Sequence, residues 1–353
     1  MADTLGPQLH AALHRGLVIP AHPLALDVNG EFDPRRQRAL TRYYLDAGAG
    51  GVAVGVHTTQ FAIHEPAVGL YEPVLRCAAE TVRTWTERPI LLVAGIVGPT
   101  EQAVAEAGLA RRLGYALGLL STADLPGASD DALLARARAV GEVLPLFGFY
   151  LQPAVGGRRL DSEFWRRFAE LEAVAAIKIA PFDRYATLDV VRGVAASSRA
   201  SEVALYTGND DSIVADLSTP ICIQVDGQVA SESAIVGGLL GQWAMGTHTA
   251  VELLDRARMA RVSGLVPADL LARGCALTDL NAAVFDPAHG FAGCIAGVNT
   301  VLHRLGLLAS SRCLDPRDVL SPGQDEAIDQ AMRAYPDLVD AAFVAAYLPR
   351  WLA

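Results

Sequence analysis

A single lysine, Lys178, stands in a chain of 353 residues whose Lys and Arg total 29, the remainder being arginine. A genome-wide preference for arginine accounts for most of that skew. It accounts neither for the one exception nor for its position. Lys178 lies in the run Ala-Val-Ala-Ala-Ile-Lys-Ile-Ala-Pro-Phe, residues 173–182, which reads as a buried strand. An ammonium inside such a run is costly, and burial lowers its pKa toward neutrality. A neutral amine attacks carbonyl carbon, so this setting suits a Schiff-base lysine. The competing reading is an outward-pointing lysine between strand and helix, its head reaching solvent.

Few other residues carry a chemical signal. Past the lysine, Pro181-Phe182-Asp183-Arg184-Tyr185 offers Arg184 as a bidentate ligand for a carboxylate or phosphate, or as half of an Asp183–Arg184 loop brace. Gly208, Asn209 and Asp210 end another strand; the polar pair either contacts substrate hydroxyls or caps the next helix. Gly48-x-Gly50-Gly51 precedes a strand, the wrong order for dinucleotide binding, and a P-loop has no lysine available to it. His57 and His64 lie seven apart with no partner pattern, so no metal and no cofactor is expected. No Gly-x-Ser-x-Gly elbow is present.

These residues need a frame. Apolar runs alternate with longer amphipathic runs: strands within 17–26 and over 51–55, 90–97, 116–121, 146–152, 174–180 and 203–207, with helices between them. Asp33 before Pro34 and Asp161 before Ser162 are helix-starting signals. For the eighth strand either 221–225 or 235–240 serves, the former then becoming an extra hairpin. Eight repeats predict an α/β fold, a (β/α)8 TIM barrel over residues 1–250. From 251 to 353 the strand signals stop, and helices over 253–262, 267–283, 293–308 and 325–348 predict a C-terminal helical region packed on the barrel. In such a barrel, chemistry gathers at the carboxyl ends of the strands.

Tyr150 precedes Lys178 by 28 positions and is followed three residues later by Pro153. In this the sequence resembles the dihydrodipicolinate synthase and N-acetylneuraminate lyase superfamily of class I aldolases, as a divergent member. The turn Tyr206-Thr207-Gly208-Asn209-Asp210 and the opening segment from Pro20 to Pro34 are similar to that family as well, and the resemblance covers roughly residues 15–310. It implies a Schiff-base lyase or synthase acting on pyruvate or a related 2-keto acid. Lys178 and Tyr150 would then be catalytic, with Thr58, Thr59, Gly208, Asn209 and Arg184 at the substrate. Tyr150 resembles the family's proton-transfer tyrosine; the competing reading is a barrel-core tyrosine bonded to backbone. A 2-keto-3-deoxy sugar-acid dehydratase using the same imine, or a non-catalytic ligand-binding barrel, are the alternatives. Gly55-Val56-His57-Thr58-Thr59-Gln60 lacks the second glycine and the glutamate of the family's carboxylate loop, Leu120-Ser121-Thr122-Ala123 lacks its inter-subunit tyrosine, and Val155 stands in place of an arginine. The resemblance also implies a homo-oligomer.

Composition bounds the rest. A net charge of −10 argues against nucleic-acid and anionic-membrane partners and leaves a small molecule. An early Asp3, with no basic leader and no long apolar stretch, gives no signal peptide, and the uncharged run 233–251 is too rich in glycine for a membrane span. Five scattered cysteines without a C-x-x-C pair read as reduced thiols, so a cytoplasmic location is expected.

Overall fold

The computed structural model describes residues 5–123, 125, 127–225, 228–229 and 233–353, so Asp3 lies outside it. Eight parallel strands, β1 (Val18–Pro20), β2 (Gly51–Val54), β3 (Leu91–Ile96), β4 (Leu117–Leu120), β5 (Leu146–Leu151), β6 (Val174–Ala180), β7 (Ala204–Thr207) and β8 (Ile235–Leu240), form one sheet. Its order is β1-β8-β7-β6-β5-β4-β3-β2, and a parallel bridge between Ala21 and Ala53 links its two ends. The predicted (β/α)8 TIM barrel is thus the architecture found. The segment 235–240 is the eighth strand, while Gln224–Val225 pairs antiparallel with Gln228–Val229 as a separate hairpin.

Helices α2 (Pro34–Asp46), α3 (Tyr71–Trp85), α4 (Thr100–Leu113), α5 (Asp130–Gly141), α6 (Ser162–Ala169), α7 (Arg184–Ala195) and α8 (Ile213–Ser218) follow the first seven strands. Asp33, Ser129, Asp161 and Asp183 cap four of them, each side chain accepting a backbone N–H from the first turn. Before β1, α1 (Pro7–Arg15) was not expected from sequence. It plugs the amino-terminal end of the barrel: Leu13 joins the interior core, and its carbonyl accepts a 2.7 Å bond from the Tyr206 hydroxyl.

Residues alternate between two cores. Phe147, Phe149, Leu151, Ala176, Ala180 and Tyr206 fill the inside of the barrel, whereas Tyr150, Ile177 and Ile179 pack outward against the helices. The eighth barrel helix, α9 (Thr247–Ser263), runs across residue 250, and α10 (Ala268–Phe285), α11 (Cys294–Arg304), α12 (Gln324–Ala334) and α13 (Ala341–Leu352) follow. The helix expected over 325–348 is two helices, separated at Pro336 and at Asp340, whose φ is +54°. Asp340 ties this region to the barrel: one of its oxygens accepts from the Tyr43 hydroxyl on α2 at 2.6 Å. Among the described residues, no helix is long and apolar enough to cross a membrane.

Candidate active site

Lys178 occupies the inner face of β6 near the carboxyl end of the barrel. The parallel register sets it beside Phe149 on β5 and Tyr206 on β7, both of which also belong to the interior core. Its side chain is 7% exposed, and Nζ lies 4.5 Å from the centroid of the Phe149 ring. No carboxylate among the described residues comes within 4 Å of it, so the amine is neither neutralised by contact nor open to bulk water. It faces a chamber of about 50 Å³, measured for the centres of water molecules, walled mainly by apolar side chains. That volume holds a few waters or a small organic group. Gly208 makes room: a Cβ there would stand 2.5 Å from Lys178 Cε and 2.8 Å from Ala180 Cβ.

The electrostatics follow from burial. Desolvation holds the Lys178 amine down at about 8, against the charge of Asp210, which pushes it up. Asp210 lies on the same chamber wall, just past β7, and desolvation lifts its carboxyl to about 7 although the Gln242 amide donates to it at 2.9 Å. The Asn281 side chain on α10 donates to the Asp210 carbonyl at 2.7 Å and so holds the loop. His57, another wall residue, is pushed down to about 4, first by burial and then by the charge of Lys178, and is therefore neutral near pH 7 with one N–H to donate. An amine and a carboxyl whose pKa values converge near neutrality in a desolvated cavity are an acid–base pair suited to carbonyl chemistry.

Of the residues expected at the substrate, Thr58 and Gly208 line the chamber and Thr59, Asn209 and Arg184 do not. The Thr58 hydroxyl donates to the Ala21 carbonyl at 2.8 Å and the Thr59 hydroxyl to that of His22 at 2.6 Å, so neither has a hydrogen left for a ligand. Thr59 also accepts from the Gly55 and Val56 amides, which makes it the brace of the turn after β2. Asn209 accepts from the Phe182 amide and donates to Thr187 and Asp216, each at 3.0 Å. Arg184 is ion-paired with the fully buried Asp216, not with Asp183, and braces the same loop.

Tyr150 is the main correction. The β5–β6 register pairs Phe149 with Lys178 and Tyr150 with Ile179, so strand alternation turns Tyr150 to the outer face. Its ring packs 5.2 Å from that of Trp165 on α6, and its hydroxyl accepts from the Leu160 amide at 3.3 Å. The 28-residue interval is present, yet the hydroxyl and the amine lie on opposite sides of the strand layer. We therefore expect Tyr150→Phe to keep turnover within about twofold of wild type and to cost about 1 kcal/mol of stability, the value of one neutral hydrogen bond. Steady-state kinetics and thermal melts check both.

Sequence reasoning weighed Asp210 only as a hydroxyl contact or helix cap and His57 only as a metal ligand. It missed Phe285, Phe291 and Cys294 altogether, which reach the chamber from α10, the turn after it and α11. The one local signal for that turn is conformational: Gln60, Phe182, Asp286 and Phe291 all have left-handed φ, between 52° and 71°, around the chamber mouth. Phe182 and Phe291 meet edge to face at 5.4 Å. No group of three or more His, Cys, Asp or Glu among the described residues is arranged to hold a metal ion.

No family profile matches the sequence, and no curated protein matches it. Solved structures do. Dihydrodipicolinate synthase from Oceanobacillus iheyensis superposes with a TM-score of 0.72 at 17% identity, over 93% of this chain and 98% of the other. The chain has the fold of the dihydrodipicolinate synthases. YagE from E. coli K12, a prophage protein of the dihydrodipicolinic acid synthase family solved with pyruvate, gives 0.71 at 17% identity, covering 93% and 99%. CdNal from Clostridium difficile, solved with mannosamine, gives 0.70 at 15%, covering 91% and 99%. The dihydrodipicolinate synthase fold therefore extends over nearly the whole chain.

Proposed function

We propose that this protein is a divergent member of the dihydrodipicolinate synthase and N-acetylneuraminate lyase superfamily, a class I lyase or synthase that forms an imine between Lys178 and pyruvate or a related 2-keto acid. The observation that carries this reading is the amine itself: the one lysine of the chain, inside the barrel at its carboxyl end, desolvated and faced by a carboxyl of raised pKa. Neutral Nζ attacks the keto carbon, and the keto oxygen leaves as water once it has taken up protons. The resulting protonated imine draws electrons from the adjacent carbon. A proton from that carbon moves to Asp210, leaving an enamine whose carbon forms a bond to an aldehyde carbon; the aldehyde oxygen takes the proton back. Hydrolysis of the imine frees the product and restores the amine, and the reverse sequence cleaves the bond. His57, with its N–H, and Gln152, with its amide, are wall donors available to the substrate carboxylate.

A sugar-acid dehydratase has less support, because a polyhydroxylated acid would find few partners on walls whose polar members are His57, Thr58, Gln152, Lys178 and Asp210. A purely ligand-binding barrel gives no role to a desolvated amine opposite Asp210. Borohydride reduction in the presence of a panel of 2-keto acids, read by intact mass and peptide mapping, tests the proposal. The expected result is a single stable adduct on Lys178. The N-terminus is the only competing amine, so adducts confined to it, or none with any keto acid on folded protein, would sink the imine mechanism.

A further inference from the structure

Directly outside the chamber lies a second, larger cavity of about 320 Å³. His57, Val155, Phe291 and Cys294 line both, so the two cavities share a wall. The imine-forming keto acid belongs in the small inner space beside the amine. The outer space is where a second substrate must wait to meet the enamine carbon, and its walls describe that substrate.

Two properties of those walls are informative. First, their charges are of one sign. Asp315 and Asp318 line the vestibule, and no arginine or lysine lines it. Arg317, the partner of Asp315 at 2.6 Å, is 88% exposed and outside the cavity. With a net charge of −10 on the whole chain, an anionic aldehyde approaching this mouth is repelled and finds no cation waiting except Lys178, which the imine already uses. Second, the neutral wall is apolar and partly aromatic: Phe61, Val155, Phe291 and Ile295. A sugar-like aldehyde, which needs a hydrogen-bond partner for each hydroxyl it buries, finds none on that part of the wall. Besides His57, one buried donor on these walls lacks a partner. Gln60 is 3% exposed, its Oε1 accepts from the Leu314 amide at 2.6 Å, and its Nε2 has no partner.

We infer that the carbon–carbon bond partner of this enzyme is an uncharged aldehyde with an apolar, ring-sized body, seated in the outer cavity against Phe61 and Phe291. The inference rests on the imine reading above and adds to it the class of the second substrate. The chemistry needs no further reagent: the enamine carbon gains a bond to the aldehyde carbon, and the aldehyde oxygen becomes a hydroxyl.

The test uses the full chain with pyruvate and four aldehydes: benzaldehyde and hexanal as apolar probes, glyceraldehyde as a polyhydroxyl probe, and succinic semialdehyde as an anionic one. Product formation is followed by mass spectrometry, with borohydride trapping of pyruvate on Lys178 as a parallel measurement. The expected result is a kcat/KM for benzaldehyde or hexanal at least tenfold above that for either polar aldehyde. A trapped pyruvate adduct together with equal or greater activity on glyceraldehyde or succinic semialdehyde would overturn the inference while leaving the imine mechanism standing. Failure to trap any keto acid on Lys178 would overturn both.

Discussion

Replacing Lys178 with methionine is expected to remove turnover, by on the order of 10⁴-fold or more, and with it every borohydride-trappable adduct on the barrel. The size of the effect follows from the absence of a substitute, because the chain has no other lysine to offer an amine. Lys178→Arg should be as inactive, since a guanidinium stays protonated at any accessible pH. Neither loss should come from unfolding. Among the described residues the ammonium has no carboxylate within 4 Å, and burial holds its pKa down at about 8, so the native state is strained against its charge. Methionine fills a similar volume without that cost, and the melting temperature is expected to equal or exceed that of wild type. The pH dependence carries a sign. From the unfolded value of 10.5 down to about 8 the unfolded chain binds a proton that the folded chain does not, so this group adds stability as pH rises through that window. In Lys178→Met that increment disappears. A mutant that still turns over substrate would end the Schiff-base assignment.

Asp210→Asn has the second-largest expected effect, a loss of about 10²–10⁴-fold in turnover with the adduct on Lys178 still trappable. The two readouts separate because the amine attacks the carbonyl, whereas the carboxyl is needed to move protons to and from the carbon and oxygen that react. The variant also tests the coupling between the groups. The charge of Asp210 pushes the Lys178 pKa up against desolvation, so its removal lowers that pKa further. The trapping rate of wild type should climb about tenfold per pH unit toward a plateau near pH 8, while that of Asp210→Asn should reach its plateau at a lower pH. Unchanged turnover in Asp210→Asn would move the proton-carrying role elsewhere, His57 and Cys294 being the other titratable wall residues beside Lys178. A plateau that moved upward would contradict the electrostatic account.

The sequence by itself determined the barrel and its lysine. Alternating apolar and amphipathic runs set six strands to within a residue or two and placed the first within a wider span, and β6 falls on Val174–Ala180 as read. Lys178 was legible because its type is unique and its neighbours are apolar, which are properties of the linear chain. What tertiary structure alone decided is which side chains share a space. Tyr150 shows why: a one-residue difference in strand register turns a side chain from the interior to the outside, and an interval of 28 residues does not encode register. Thr58, Thr59, Asn209 and Arg184 carry the right groups for a carboxylate or a hydroxyl. Their hydrogen-bonding capacity is taken up by Ala21, His22, Thr187 and Asp216, all distant in sequence from the groups they bind or engaged through folded loops. Asp210 and His57 acquire their role only from desolvation, and desolvation depends on walls such as Phe285, Phe291 and Cys294, about a hundred residues further along the chain than Lys178. Local pattern specifies an element and its buried face. A cavity is the residue of several such elements closing on one another, so its shape and its field exist only once they have packed.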